Sequence, residues 1–312
     1  MAMAVHEAAA REFAAQRHAL WGFCYRMTGS AADADALIQE TFVRVLERPP
    51  SDLSIGWGPS LARTAAAHSI DALRLRQHRA YIGSWLPAPI ETGSAIAECP
   101  AACDDGGTTY GEIESLTTRF LIAIEPFTPR QRAVLLLRAV FGYSIHDAAQ
   151  SLELTYANVK STLQKARQLM RPYDADRPLP TREAQARVAA LLNEFLERLQ
   201  RYDAAAVEAM LATDARAITD SAGEFVAPTH PVCGRERIVR LLLKMAERRG
   251  PPTRYAFRML NAFPALVAEV PAPAAWAPRF VFRIDINSDG LILELHTITA
   301  TRKLAAVSFN PA

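Results

Sequence analysis

The sequence has no apolar run of the 18 to 20 or so residues that a helix needs to cross a bilayer. Its N-terminus has no basic segment followed by an apolar core, so nothing there reads as a secretory signal. We therefore expect a cytoplasmic chain with no membrane partner. Cysteine is scarce. Cys24, Cys99, Cys103 and Cys233 form no metal-ligand series: Cys99 and Cys103 are close, but no second pair and no histidine follow at zinc spacing. Reduced thiols, with no metal and no cofactor, are the expectation. Neither sign of charge dominates: 35 Lys and Arg against 33 Asp and Glu leave +2, which by itself implies no partner. No internal repeat of solenoid period is visible. What is present is length and apolar content: 312 residues, 50% hydrophobic, enough for two or three domains with proper cores.

Residues 5–80 read as helical. "HEAAAREFAAQRHALWGFCYRMTG" repeats apolar residues at three and four, with Gly29 as its stop. "SAADADALIQETFVRVLERPP" begins with Ser30 as an N-cap and carries Asp33 and Asp35 where they favour the helix dipole. Pro49 and Pro50 end it. "GPSLARTAAAHSIDALRLRQHRA" is a third helix with a basic end. Residues 82–112 then change character, with three Pro, five Gly and little periodicity. This is a linker, yet it contains "SWLPAP", and a linker has no use for a Trp-Leu pair unless the pair docks on something.

Helices resume at 113–171. "YSIHDAAQSLELTYANVKSTLQKARQLMR" sets two short helical patterns about a tight "LEL" turn, with Ser144 and Thr155 as caps. Ala148, Ala149, Leu152, Val159, Leu163 and Ala166 fit the inner face of a helix-turn-helix. Tyr156, Asn158, Lys160, Ser161, Gln164, Lys165 and Arg167 form the outer face, and these side-chain types reach base edges and phosphates in a major groove. Residues 128–172 hold seven Lys and Arg against Asp147 and Glu153, so the positive charge is concentrated here. Residues 61–80 make a second basic patch, with Arg63, Arg74, Arg76 and Arg79 against Asp71 and with His68 and His78 on the same helix.

A second linker, "PYDADRPLPT", covers 172–181. Beyond it the spacing predicts helices at 182–201, 203–212 and 234–248. Strands are expected at "RAITDS", "TRYAFRML", "ALVAEV", "PRFVFRIDI" and "LILELHTITA", the last two joined across "NSDG".

Two separate motifs in this order resemble a known arrangement. "YRMTGSAADADALIQETFVRVLER" resembles the core-polymerase-binding region 2 of bacterial sigma factors of the extracytoplasmic-function group. "LARTAAAHSIDALRLRQHR" is similar to the part of region 2 that melts and reads the −10 element, and "LLLRAVFGYSIHDAAQSLELTYANVKSTLQKARQLM" to region 4, which reads the −35 element. The tail resembles a SnoaL-like, nuclear-transport-factor-like cone, which a subgroup of these factors carries. That subgroup has a "WLPEP"-type linker motif, here Trp85-Leu86-Pro87-Ala88-Pro89. It also has a "DGGGKV"-type turn, here Asp220-Ser221-Ala222-Gly223-Glu224-Phe225, and a late "NPDKL"-type motif, here reduced to Thr301-Arg302-Lys303-Leu304. The turn has lost two glycines and exchanged Lys for Glu, and Glu153 stands in the helix-turn-helix turn where Gly is more usual.

The resemblance implies a multidomain chain of two all-α sigma domains, a region 2 helical bundle and a region 4 helix-turn-helix, followed by an α+β cone. The expected boundaries are 5–81 for region 2, 82–112 for the linker, 113–172 for region 4, 173–183 for a second linker and 184–308 for the cone. It implies an alternative sigma factor, with the chemistry supplied by core polymerase. Asp35, Gln39, Glu40 and Phe42 would meet the β′ clamp helices, with region 4 at the β flap. Arg63, Arg74, Arg76 and His78 would meet −10 DNA, and the outer face of the second helix would meet −35 DNA, with Lys165 and Arg167 on phosphate. Trp85, Leu86, Pro87, Asp220, Gly223 and Lys303 would join linker to tail for regulation, and a small ligand could bind in the cone. Two other readings stay open. Cones of this type can be isomerases or cyclases with an Asp or His base, so Asp220, His230, Asp285 and His296 are candidates. A conventional helix-turn-helix repressor or activator would leave the acidic helix unexplained.

Overall fold

A computed structural model describes residues 2–50, 57–78, 81–93 and 108–309, with the backbone alone for 2–6, 77 and 78. The described chain forms two compact units. One comprises residues 1–80 and 98–178, the other 81–97 and 179–312. The expected linker 82–112 is thus divided by its packing, and its first half belongs with the tail.

The first unit is all-helical. Helices α1 (Ala2–Thr28), α2 (Ala31–Glu47) and α3 (Gly58–His78) pack against one another as a bundle. Gly29, at φ +65°, ends α1, and Ser30 Oγ then caps α2 by accepting from Asp33 N at 3.2 Å. Leu37, Ile38, Thr41 and Val45 form the buried stripe of α2, and the Thr41 hydroxyl is satisfied by its own helix at Leu37 O.

A 3-10 turn (Glu114–Leu116), α4 (Thr118–Ala123), α5 (Pro129–Ala139), α6 (Ile145–Leu152) and α7 (Tyr156–Ala175) follow. A capping box between Thr128 and Gln131, with Pro129 behind it, starts α5. Its run Ala133–Ala139 is buried on every side because α1, α3, α6 and α7 all pack on it. Helix α7 runs beyond the expected stop near Met170, through Pro172, to Ala175. Tertiary packing overrides the proline: Tyr173 is buried, its ring meets Tyr110 and Phe120 edge-on, and its hydroxyl donates to Glu114 Oε1 at 2.9 Å. Glu114 is fully buried and also accepts from Gly111 N and, through both oxygens, from Arg177.

The second unit is α+β. Helices α8 (Arg182–Gln200), α9 (Ala204–Ala209) and α10 (Arg235–Arg249) accompany strands β1 (Leu211–Asp220), β2 (Val232–Cys233), β3 (Arg254–Leu260), β4 (Phe263–Glu269), β5 (Arg279–Ile286) and β6 (Ile292–Ile298). The strand order is β2-β1-β6-β5-β4-β3. The short β2 had no sequence signal. The helix expected over 203–212 is cut back, and β1 begins at Leu211, because Leu211, Ala212 and Ala215 are buried in the core that the sheet shares with α8 and α10. The sheet is not wholly antiparallel, since β1 pairs with β6 in parallel. Val188, Leu192 and Phe195 of α8 meet Leu266, Phe282, Ile284 and Leu295 in that core, with Phe195 stacked on Phe282. The other face of the sheet carries Val267, Val281 and Ile298, and also Arg283, Asp285 and His296, all buried.

Candidate nucleic-acid interface and linker-docking site

Period 3.6 places the outward residues of α2 on one stripe. Asp35, Gln39 and Glu40 are exposed, and so is Val43, a turn after Gln39. Phe42 is half-buried and stacks on Phe13 at 4.4 Å between ring centroids. The apolar side chain on the open face is therefore Val43, a residue that composition alone would not single out.

On α3, Arg63 and Arg74 are exposed. Arg76 is not free: its guanidinium donates to Thr28 O and to Glu125 Oε1 at 2.6 Å. Glu125 Oε2 accepts from Arg132 at 2.8 Å, and Arg132, almost fully buried, also donates to Met27 O at 2.6 Å. Two guanidiniums thus cap the last carbonyls of α1, as helix ends require, and one carboxylate holds both. Burial pushes Arg26 down to about 10, and its donors go to Gly22 O, Glu112 O and Ser115 Oγ. The side chain of His78 lies outside the described residues.

Helices α6 and α7 meet at a tight turn. Ser144 and Thr155 accept from Asp147 N and Asn158 N as caps. Glu153 takes the left-handed conformation, φ 52° and ψ 43°, and Leu154 N donates back to Ala149 O. Val159, Leu163 and Ala166 face inward. Tyr156, Asn158, Lys160, Ser161, Gln164 and Lys165 are exposed on the other side of α7, with Arg167 half-buried beside them.

In the second unit the segment that follows α3 docks on the sheet end. Leu86, Pro87, Ala88, Pro89 and Ile90 are all buried. Asp220, at the end of β1 and fully buried, collects four donors. Oδ1 accepts from the Tyr81 hydroxyl at 2.6 Å and from Ala222 N at 3.1 Å, and Oδ2 from Leu86 N at 2.7 Å and Lys303 Nζ at 2.6 Å. Lys303 Nζ also donates to Leu86 O and lies 5.0 and 4.9 Å from the ring centroids of Tyr81 and Trp85. Gly223 has φ +77°, and a Cβ there would press on Ile82 at 3.1 Å, so this surviving glycine is required. Glu224, where the resembled turn has Lys, accepts from Thr301 N at 3.0 Å and ties the turn to the 3-10 segment that carries Lys303. A second anchor is the two-residue turn between β3 and β4. Asn261 and Ala262 both have positive φ, Asn261 exchanges hydrogen bonds with Ile90, and Ala262 N donates to Thr92 Oγ1. Neither Tyr81 nor Asn261 carried a sequence signal. Beside this latch lies a cavity of about 550 Å³, lined by Phe225, Val270, Pro278, Thr299, Thr301 and Leu304 among others.

A family model for region 2 of sigma-70 matches residues 13–79, and one for region 4 matches residues 123–170. The extracytoplasmic-function RNA polymerase sigma factor SigJ of Mycobacterium tuberculosis is 26% identical over 280 residues, covering 86% of this chain and 85% of its own. The belonging is to a family, and both of its paired regions are present in order. This chain is a sigma factor of the sigma-70 family, of the extracytoplasmic-function type. The sigma factor SigG of the same organism is 32% identical over 207 residues, 60% of this chain and 54% of its own. The crystal structure of SigJ shares the fold, with a TM-score of 0.66 at 22% identity, over 96% of this chain and all of that one.

As an alternative sigma factor the protein serves transcription initiation, and sigma factors bind core polymerase and promoter DNA rather than catalyse a reaction. Among the described residues no helix is long and apolar enough to cross a membrane. Of the acid–base candidates, Asp220 belongs to the latch, and His230 is exposed with its ring beside Thr229. Asp285 and His296 are brought together on β5 and β6, and neither lines the cavity.

Proposed function

We propose that this sigma factor is regulated by its own C-terminal unit, which grips the segment leading out of region 2. The observation that carries the reading is the Asp220 carboxylate. Two of its four donors come from the segment, one from its own turn and one from Lys303. Its burial makes the arrangement all-or-none: a buried carboxylate stripped of donors is costly, so the linker is either seated or released.

The promoter-binding surfaces follow from exposure and charge. Asp35, Gln39, Glu40 and Val43 present the face for core polymerase. Arg63 is open for the −10 region and Arg74 is exposed but paired with Asp71 at 2.9 Å, whereas Arg76 reaches DNA only after leaving Glu125 and Thr28 O. Tyr156, Asn158, Ser161 and Gln164 read −35 base edges, with Lys160, Lys165 and Arg167 on phosphate. A small amphipathic ligand in the cavity beside Thr301–Leu304 would bear directly on the turn that carries Lys303. The competing reading, an isomerase built on the cone, would have to use Glu269, the carboxylate that lines the cavity beside Arg279, because Asp220, His230, Asp285 and His296 do not line it.

The test is initiation by purified bacterial core polymerase on a promoter selected from a random library, comparing the full chain with Trp85→Ala and Lys303→Met. Core-dependent initiation that changes in both variants supports the regulatory reading. Equal initiation by all three chains, with equal protease resistance of the segment 81–93, would sink it.

A further inference from the structure

Strands β5 and β6 bring together a buried polar cluster that neither promoter recognition nor the latch uses. Arg283 and Asp285 stand two apart on β5, with Glu294 and His296 two apart on β6. The register sets Arg283 opposite His296 and Asp285 opposite Glu294, so all four share one face. A register irregularity between Asp285 and Ile286 bends the strand at this point.

The hydrogen bonds fix the imidazole. His296 is fully buried, and its Nε2 lies 3.0 Å from Glu294 Oε2. Glu294 also accepts from the Arg216 guanidinium through Oε1. Glu294 is therefore an acceptor, and Nε2 carries the proton. In the neutral ring that leaves Nδ1 as a bare lone pair. Nδ1 faces Asp285 Oδ2, another acceptor, at 3.7 Å, and neither atom has a hydrogen-bond partner. Asp285 is itself more than nine-tenths buried. Two buried acceptors turned toward each other need something positive between them.

The spacing discriminates among occupants. A water at about 2.8 Å from both atoms would see them at an angle near 80°, too narrow for its two hydrogens. An ion at about 2.1 Å from both sees them at an angle near 120°. The outer contacts also fit an ion. A metal-bound imidazole characteristically gives its other N–H to a carboxylate, as His296 does to Glu294, and a metal-bound carboxylate has its second oxygen held by a donor, as Arg283 Nη2 holds Asp285 Oδ1 at 2.5 Å.

We propose that Asp285 and His296, supported by Glu294, bind one first-row divalent cation of the zinc or cobalt class. The protein donor set of one imidazole nitrogen, His296 Nδ1, and one carboxylate oxygen, Asp285 Oδ2, suits these ions and not a soft thiolate-seeking one. Arg283 and Arg216 lie on the far oxygens of the two carboxylates and oppose the charge of the ion, so binding is moderate and tunable. The ion would staple β5 to β6, the strand that leads within seven residues to Lys303.

The experiment uses the full chain, stripped with chelator and titrated with ZnCl2 or CoCl2. Bound metal is counted after dialysis, and the cobalt form is examined by absorption. One equivalent per chain is expected, without thiolate-to-cobalt charge transfer, and with a rise in the unfolding temperature. His296→Gln and Asp285→Asn should each lose the equivalent. Arg216→Gln, at a half-exposed site, should tighten binding about tenfold by removing a like charge. No retained metal in the wild-type chain overturns the proposal and leaves a proton on Nδ1 as the neutralising charge. A cobalt spectrum dominated by thiolate overturns it too, as does retention of metal by both loss variants. Should a loss variant fail to fold, the wild-type count, its spectrum and the Arg216→Gln arm still decide.

Discussion

Lys303 Nζ lies 2.6 Å from Asp220 Oδ2, and between the rings of Tyr81 and Trp85. One ammonium thus joins the end of β1, the turn after β6 and the segment leaving region 2. Lys303→Met keeps the length of the stem and removes the charge. It should destabilise the C-terminal unit by about 3 kcal/mol, because it leaves a buried carboxylate short of its counter-charge. Thermal unfolding reads the loss, and Trp85 fluorescence should shift toward that of a solvated indole at temperatures where the unit is still folded.

Glu125 is the joint between α3 and α5. Glu125→Gln keeps the shape and weakens both guanidinium contacts. Since the carboxylate is partly exposed, the cost should be modest, about 1–2 kcal/mol. The same change loosens the hold of Glu125 on Arg76, while the contact to Thr28 O stays. Binding of single-stranded −10 DNA by the holoenzyme should therefore strengthen in Glu125→Gln, and this gain should vanish in the double variant with Arg76→Ala.

Glu153 holds a left-handed conformation without being glycine. Glu153→Gly should stabilise the helix-turn-helix by about 1 kcal/mol, since it relieves the Cβ clash at φ 52°. Chemical denaturation measures it. A loss of stability would mean that the Glu153 side chain does more than occupy the turn.

On α7 the two kinds of contact should separate. Lys165→Ala should weaken −35 binding about equally for all sequences and lower the salt slope by roughly one. Gln164→Ala should cost about 1–3 kcal/mol on the preferred sequence and relax preference at one position. Holoenzyme titrations at several salt concentrations distinguish them.

Cys24 and Cys233 should differ in reactivity. Cys24 is fully buried, and burial pushes its thiol up to about 11 despite the Ser69 hydroxyl beside it, whereas Cys233 is exposed. Iodoacetamide at pH 8 should label Cys233 in the native chain and Cys24 only after unfolding. Mass spectrometry of the labelled peptides reads the difference.

The legible parts of this chain were those fixed by local chemistry. Ser30, Ser144 and Thr155 cap helices because their hydroxyls are in the right place along the sequence, and the inward stripe of α7 follows from period alone. Trp85, Asp220 and Lys303 could be proposed together through the resemblance, and the structure does bring them to one point. What was hidden depended on distant partners. The parallel pairing of β1 with β6 has no sequence signature, because the strands lie some 80 residues apart. Phe42 and Val43 are adjacent apolar residues, and only the position of Phe13 decides which one is left facing outward. Pro172 reads as a helix end until the burial of Tyr173 is known. The pairing of Asp285 with His296 needed the register of two strands, since neither residue sits in a motif.

The division of the chain at residue 81 rather than 113 sets what a shortened protein would be. Leu86, Ala88 and Ile90 are covered only while the C-terminal unit is there to be lain against. Cutting after region 4 does not produce a smaller version of the same sigma factor. It strands a strip of greasy connector in water, and such a strip tends to collapse onto whatever surface is nearest, including a second copy. The connector and the tail are a single packing unit, separated in the reading order but buried together.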